Sequence, residues 1–408
     1  MEIYLVGGAV RDELLGLKPR ERDWVVVGSS PEEMLEKGFE QVGKDFPVFL
    51  HPETKEEYAL ARTEKKTGNG YNGFVCHTDK SVTLEEDLKR RDLTINAIAK
   101  DDSGNIIDPF NGKLDLENKC LRHVSDAFVE DPLRVLRVAR FSAHLPEFTL
   151  DKKTLALLKE IVISGELNSL VPERVFAELK KVFNCVAPEK FLEVLQQCKA
   201  LEVIFPEIAR LVDVPQNAKI HPEIDTFLHL KKCLQAAKKM DLDAETMFAV
   251  FLHDLGKGLT KESDLPDHPE HCSLGIEPAK DTCKRLKVPA SYKELAVLMV
   301  KYHTEVHKVE SLGPRHIVQL LTYTDSYRRE DRFKKILKAC KADSRGRTGY
   351  EDCQYTQEKM WLRYLELTKG IDVHDLISKG FDGEQLKQAI YLQRVNIVKK
   401  WQQGSISA

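Results

Sequence analysis

The rhythm of apolar and polar positions changes once along the chain, near residue 125. Before that point apolar residues come in short runs: Ile3–Val6, Trp24–Val27, Val48–Leu50 and Tyr58–Ala61. Such runs, bounded by Gly, Ser, Pro or charge, predict short buried strands. Gly7-Gly8 closes the first run, and a helix is predicted from Ala9 to about Leu15. Gly28-Ser29-Ser30-Pro31 closes the second run with a turn and a helix cap. Lys65-Lys66-Thr67-Gly68-Asn69-Gly70 is polar and Gly-containing, which predicts a mobile loop. From about Asp126 the spacing is helical. One helix starts at Asp131-Pro132 and runs through Phe141, and spacings of three and four fill Leu155–Ile163, Val175–Phe183 and Phe191–Leu195. Pro206, Pro215 and Pro222 punctuate a boundary, followed by a histidine-rich helical region and a mixed helical tail. The expected organisation is α+β, divided into residues 1–125, 126–222, 223–329 and 330–408.

Composition narrows the class. A chain of 408 residues exceeds one ordinary core, so two to four domains are expected. Hydrophobic residues make up 42%, enough for real cores, and charged residues 31%. No apolar run approaches the ~20 residues of a spanning helix, so no membrane association is expected. Met1–Gly8 has no basic leader and reads as a buried strand, not a signal peptide. The nine cysteines include no C-x-x-C pair, which disfavours a disulfide framework or a cysteine-bound zinc and fits a reducing cytoplasm. A net charge of −3 does not suggest a nucleic-acid binder. Residues 315–347, however, hold ten Arg or Lys against four Asp or Glu. A solvated helix face explains that surplus more readily than a phosphate-contacting patch.

Gly7-Gly8 lies between a strand and a helix, where a backbone without side chains can approach a phosphate. Arg11 on the first helical turn adds a charge-assisted donor. A plain tight turn is the alternative. No G-x-G-x-x-G or G-K-[ST] is present, so a dinucleotide fold and a P-loop are both disfavoured. Glu21 and Asp23 follow, one residue apart; on a strand they share a face. Two carboxylates beside a phosphate turn can hold a pair of divalent ions for phosphoryl chemistry. An exposed acidic pair is the bland alternative.

Asp131, Arg134, Arg137 and Arg140 recur every three residues on the predicted helix. Arginines in an apolar helix are costly to leave unpaired. They either pair with nearby acids, reach water, or contact a ligand. A carboxylate can accept from the exocyclic amine of cytosine or adenine, and a guanidinium can donate to the adjacent ring acceptor. Asp131 with Arg134 can thus read the pairing edge of either base. Farther on, His253-Asp254 ends an apolar helix and precedes Leu255-Gly256-Lys257. An adjacent His-Asp pair with His229 upstream can bind a metal. Mixed histidine and carboxylate ligands suit nickel, manganese or zinc better than calcium.

Leu5-Val6-Gly7-Gly8-Ala9-Val10-Arg11-Asp12 followed by Glu21-Arg22-Asp23 resembles the first motif of polymerase-β-type nucleotidyltransferases. More closely, it is similar to class II CCA-adding tRNA nucleotidyltransferases. Arg90–Ala97 resembles that family's second motif, Glu130–Phe141 its nucleobase-reading helix, and Glu173-Arg174 the motif that follows. His229, His253-Asp254 and Asp325 resemble the HD phosphohydrolase pattern, with His271 and His303 where some HD enzymes add ligands. The resemblance covers nearly the whole chain, including the HD domain of the bacterial multifunctional form. It implies a transferase head, a helical neck, an HD domain and a helical tail. It implies Mg2+ at Glu21 and Asp23, and nucleotide contacts from Gly8, Arg11, Arg91, Asp131, Arg134, Arg137 and Arg140. The 64–73 loop is expected to take part in the change from CTP to ATP. In the HD domain it implies Ni2+ or another transition metal, with 2′-phosphatase and 2′,3′-cyclic phosphodiesterase activity. The expected partners are tRNA lacking all or part of CCA, CTP and ATP, and the expected state is a monomer or homodimer. Glu21 stands where many relatives have Asp, a departure that touches metal spacing. A poly(A) polymerase, a CC-only or A-only transferase, or a phosphohydrolase with an inactive tRNA-binding head are the alternatives.

Overall fold

The computed structural model describes residues 1–19, 21–42, 48–66 and 74–404, and the chain forms two compact units, Met1–Ile204 and Phe205–Ala408. The first unit is built on a mixed sheet. Its strands are β1 (Glu2–Val6), β2 (Asp23–Val27), β3 (Glu40–Val42), β4 (Val48–Leu50) and β5 (Glu57–Leu60). The chain then forms a separate hairpin of β6 (Thr63–Lys66) and β7 (Phe74–His77), and returns to the sheet with β8 (Ala99–Lys100) and β9 (Ile106–Ile107). The order across the sheet is β3-β4-β5-β2-β1-β8-β9, with β2 and β5 parallel and the other neighbours antiparallel. The four predicted strands are all present. The expected 64–73 loop falls partly on β6, and its residues 67–73 lie outside the described residues.

Alternation along β2 shows how the sheet is buried. Val25 packs with Val6, Leu88, Ala97 and Ala99 on one face. Its neighbour Val26 packs with Met34, Phe49, Tyr58 and Leu60 on the other. Register then places the chemistry. Val6, the last residue of β1, pairs with Asp23, the first of β2. The Gly7-Gly8 turn and Asp23 therefore sit at the same end of the sheet. The Gly8–Leu14 helix leaves from that turn. After residue 125 the unit is mainly helical, with helices Arg134–His144, Lys152–Ile163, Pro172–Val182 and Glu189–Gln197.

The second unit is helical, with one isolated β-bridge between Pro215 and Asp225 among the described residues. The Ala244–Leu252 helix is apolar all round, and Met247–Leu252 are at most 1% exposed, as expected for a helix enclosed by others. It packs against the Thr226–Lys239, Ala290–His307 and Glu330–Arg345 helices. A boundary at residue 329 therefore cuts through this bundle, because Glu330–Arg345 is one of its walls. In the tail, Trp361 is fully buried and its indole N–H donates to the Val306 carbonyl at 2.9 Å. Asp325, an expected metal ligand, sits in the connection after the Pro314–Tyr323 helix with φ +54°. Its two oxygens accept from Arg328 at 2.8 Å each, and that contact lowers its pKa. It shapes a turn.

One close approach sets up the second unit's chemistry. A Cβ on Gly256 would lie 1.9 Å from the His271 carbonyl oxygen and 2.6 Å from the Gly275 nitrogen. Glycine at 256 lets the segment after Asp254 lie against the His271–Arg285 helix, bringing His271 to Asp254. Gly256→Ala should destabilise this unit by about 1–3 kcal/mol, the usual cost of overpacking. Urea unfolding checks this; an unchanged midpoint would contradict the close contact.

Candidate active sites

In the first unit, a cleft of about 1040 Å³ is lined by Gly7, Gly8, Arg11, Glu21, Asp23, Arg91, Asp131, Arg134, Arg137 and Arg140. All the residues expected at a nucleotide site in this unit thus face one space. Gly7 has φ +70°, a left-handed conformation that favours glycine at this turn. Glu21 precedes β2, so the pair does not share a strand face as expected; only Asp23 is on the strand. The two carboxylates nonetheless meet electrostatically. Asp23 has an exposed surface, yet the cleft walls crowd its carboxyl and raise its pKa; Arg91 pulls it down and Glu21 pushes it up. Two carboxylates that repel across an open cleft fit a divalent cation, which removes that repulsion.

Asp131 also differs from expectation. It lies in extended backbone (φ −108°, ψ 103°) ahead of the helix, which begins at Arg134 and continues to His144. One of its oxygens accepts the Leu133 amide at 3.0 Å. The helical stripe is therefore three arginines, and each is held. Arg134 donates to the carbonyls of Ala127 and Arg90. Arg137 pairs with Asp92 at 2.7 Å, and Arg140 with Glu178 at 2.7 Å. Pairing with nearby acids and facing the cleft occur together, since a guanidinium carries five donors. Phe141 gathers this charge: the guanidinium carbons of Arg140, Arg11 and Arg137 lie 4.5, 5.3 and 5.9 Å from its ring centre.

Asn96 and Asp92 were not singled out from sequence, yet they join the two halves of the cleft. Arg11 donates to Asp12 at 2.7 Å and to Asn96 Oδ1 at 2.7 Å. Asn96 Nδ2 donates to Asp92 Oδ1 at 3.0 Å, and Arg137 Nε donates to Asp92 Oδ2 at 2.7 Å. The chain Asp12–Arg11–Asn96–Asp92–Arg137 runs from the turn helix to the arginine helix. Arg91 is tied in beside it, 3.1 Å from the buried Asp87.

In the second unit, His229, His253 and Asp254 converge as expected, and the fourth member is Asp343 instead of Asp325. His229 Nε2 is 3.0 Å from Asp343 Oδ1 and 3.9 Å from Asp254 Oδ2. His253 Nε2 is 3.1 Å from Asp254 Oδ2 and 3.8 Å from Asp343 Oδ1. Asp343 was legible: on its helix Phe333, Ile336, Leu337 and Cys340 are buried, and Asp343 continues that apolar face. His271 and His303 approach from the other side. Their Nε2 atoms are 3.1 Å apart and lie 3.6 and 3.5 Å from Asp254 Oδ1. Cys233 stands among the first group, 3.3 Å from His229 Nε2, and Cys272 beside the second. Burial pushes the Cys233 thiol up, whereas His303 and His271 outweigh burial at Cys272 and pull its thiol down to about 4.

Burial alone would raise Asp254 and Asp343, but His253 with Lys257, and His253 with His307, hold them well below the ordinary range. Both Asp254 oxygens and His253 Nε2 are buried without a hydrogen-bond partner among the described residues, although Lys257 Nζ is 2.7 Å from one of those oxygens. Buried acceptors aimed at one point fit a cation. The basic 315–347 stretch is largely engaged elsewhere: Arg328 with Asp325, Arg329 and Arg332 with Glu294, Lys335 with Glu245, and Lys341 with Glu358.

Asp92 yields a pH prediction. Burial would raise its carboxyl, but Arg137, Asn96 and the Leu93 amide hold it well below the ordinary range. With a depressed folded pKa, its stabilisation is complete above the unfolded value of about 4 and is lost as pH falls toward the folded one. Asp92→Asn should cost about 1–3 kcal/mol at pH 7 and flatten the acid limb of the stability curve. Superimposable acid limbs in urea unfolding would contradict this.

Three family models match successive parts of the chain. A Poly A polymerase head domain family matches residues 3–122. A family described as a probable RNA and SrmB-binding site of polymerase A matches 147–211. An HD domain family matches 226–343, ending on Asp343. The multifunctional CCA protein of Vibrio parahaemolyticus is 51% identical, covering 98% of this chain and 99% of the relative. That of Hahella chejuensis is 48% identical, covering 99% and 96%. Among solved structures, the Thermotoga maritima CCA-adding enzyme complexed with tRNA aligns with a TM-score of 0.65 at 20% identity, over 100% of this chain and 88% of that one. A CCA-adding enzyme with ATP gives 0.65 at 21%, over 97% and 85%; at such identities the likeness concerns the fold.

Proposed function

The chain belongs to the multifunctional CCA proteins, and on that premise we propose that it adds the terminal CCA of tRNA from CTP and ATP in its first unit. In its second unit it hydrolyses phosphate esters, a terminal 2′-phosphate or a 2′,3′-cyclic phosphate. The observation that carries the reading is the convergence of a glycine turn, two carboxylates and three held arginines in one cleft. The setting is cytoplasmic; the free state of every described cysteine suits a reducing compartment.

The chain's own groups divide the work. The Gly7-Gly8 turn leaves room for a triphosphate against the helix that follows. Glu21 and Asp23 would hold Mg2+, and an ion there would supply positive charge beside the 3′-hydroxyl and the pyrophosphate group. Asp131 accepts from the amine that cytosine and adenine share, and Arg134 donates to the neighbouring ring acceptor. Uracil and guanine present the wrong groups on that edge. Because Arg134 and Arg137 are already fixed by carbonyls and by Asp92, the protein itself takes the place of a template. In the second unit, His229, His253, Asp254 and Asp343 would hold Ni2+ or another transition ion, with His271 and His303 on the far side of Asp254, and such an ion would supply Lewis acidity.

Purified protein, tRNA lacking CCA, and labelled CTP and ATP given separately and together test the transferase reading. A product ending at CCA is expected; long A-tails would identify a poly(A) polymerase instead. Asp23→Asn should abolish incorporation of both nucleotides and leave cyclic-phosphate hydrolysis intact, whereas Asp254→Ala should do the reverse. Loss of both activities in either folded variant would contradict separate sites.

Asp131→Ala should lower the kcat/KM preference for CTP over UTP. The lost hydrogen bond to a charged group is worth about 1.5–3 kcal/mol, roughly ten- to a hundredfold. An unchanged ratio would mean that another group reads the base.

A further inference from the structure

Three of the histidines that surround Asp254 share one orientation. His253 Nδ1 lies 2.7 Å from the Val250 carbonyl, His271 Nδ1 2.7 Å from that of His268, and His303 Nδ1 3.1 Å from that of Met299. In each ring Nδ1 is occupied by a backbone acceptor and Nε2 faces the carboxylates. His229 is different. Its Nδ1 lies 2.7 Å from Glu223 Oε1, a short though not linear contact with a charged acceptor. Glu223 is 9% exposed and sits ahead of the Thr226–Lys239 helix. It is itself well anchored. Its Oε1 is 3.2 Å from His221 Nδ1 and 3.4 Å from Gln216 Nε2, and its Oε2 accepts the Thr348 amide at 3.1 Å.

An imidazole that donates through Nδ1 has its lone pair on Nε2, and a carboxylate acceptor makes that lone pair a stronger donor than a carbonyl does. We propose that Glu223 is a positioning residue for the metal centre: it holds the Nδ1–H of His229 and so presents Nε2 of that ring to the ion. We assign Glu223 the orienting role and not ligation, although His221, Glu223 and His229 also bring ligand atoms within 4.8 Å of one another on the opposite edge of that ring from Asp343 and Asp254. Of the four rings, His229 becomes the strongest imidazole donor. The inference rests on the reading of this cluster as a metal centre.

Ni2+ affinity of the full-length protein, measured by chelator competition, tests it. Glu223→Ala should bind Ni2+ about 10–100-fold more weakly than wild type, the range for loss of an orienting partner. Glu223→Gln should fall between them, since its amide oxygen still accepts from Nδ1–H but carries no charge. His221→Ala leaves the Glu223–His229 contact in place but removes a ring packed 4.6 Å from that of His229, so it should lose far less affinity than Glu223→Ala. Urea unfolding of each variant serves as the folding control, and a second-unit transition like that of wild type is expected in all three. Wild-type affinity in Glu223→Ala would overturn the proposal. So would an equal loss in His221→Ala, which would mean that Glu223 only braces its turn. Loss of one bound ion with the affinity of the rest unchanged would make Glu223 a direct ligand, also against the proposal. Wild-type protein that binds no Ni2+, Mn2+ or Zn2+ would remove the metal-centre reading itself.

Discussion

A guanidinium in a protein wall must be paired, and the pairing of Arg137 with Asp92 is the contact on which the first unit's cleft depends. Asp92 is buried and accepts from Arg137, Asn96 and the Leu93 amide together. Asn96 passes the connection to Arg11, which lies on the helix that begins at the glycine turn. One buried polar chain thus fixes the distance between the glycine-turn helix and the arginine helix. Such networks are stabilising only when every member is satisfied, so the geometry is all-or-none in character. Selection of C and then A without a template needs this rigidity.

The second unit meets the same constraint with the opposite charge. Asp254 and Asp343 are buried anions, and imidazoles from several helices and Lys257 surround them. On the proposed reading of this cluster, protons and a metal ion would compete for the same imidazole nitrogen atoms, which would couple metal binding to pH. Gly256 and Gly275 allow the backbone approach that puts His271 beside Asp254. The HD motif is a packing arrangement as much as a ligand list.

Local pattern revealed what depends on neighbours in sequence. The apolar run Trp24–Val27, the Gly7-Gly8 turn and the His253-Asp254 pair are readable because each is decided within a few residues. What failed depended on where helices begin and how they pack. Asp131 was assigned to a helix because Pro132 is a common helix opener, but two turn residues intervene before Arg134. Glu21 was assigned to a strand that starts two residues later. Asp325 matched the expected order of ligands, yet its neighbours Arg328 and Arg329 already marked it as a turn residue. Asp343 carried a signal of its own, an acid on the apolar face of a helix. Asn96 and Asp92 lay inside a quoted motif, but their role is a contact across more than forty residues, which no local spacing displays.

The central claim is that Arg11 and Asp92 act through one chain although they do not touch directly. A double-mutant cycle on CTP affinity measures this: wild type, Arg11→Gln, Asp92→Asn and the double variant, each titrated with CTP. The two losses should be non-additive by about 0.5–3 kcal/mol, as for members of one hydrogen-bonded network. Losses that add strictly would contradict the account, leaving the phosphate turn and the base-reading helix as independent halves.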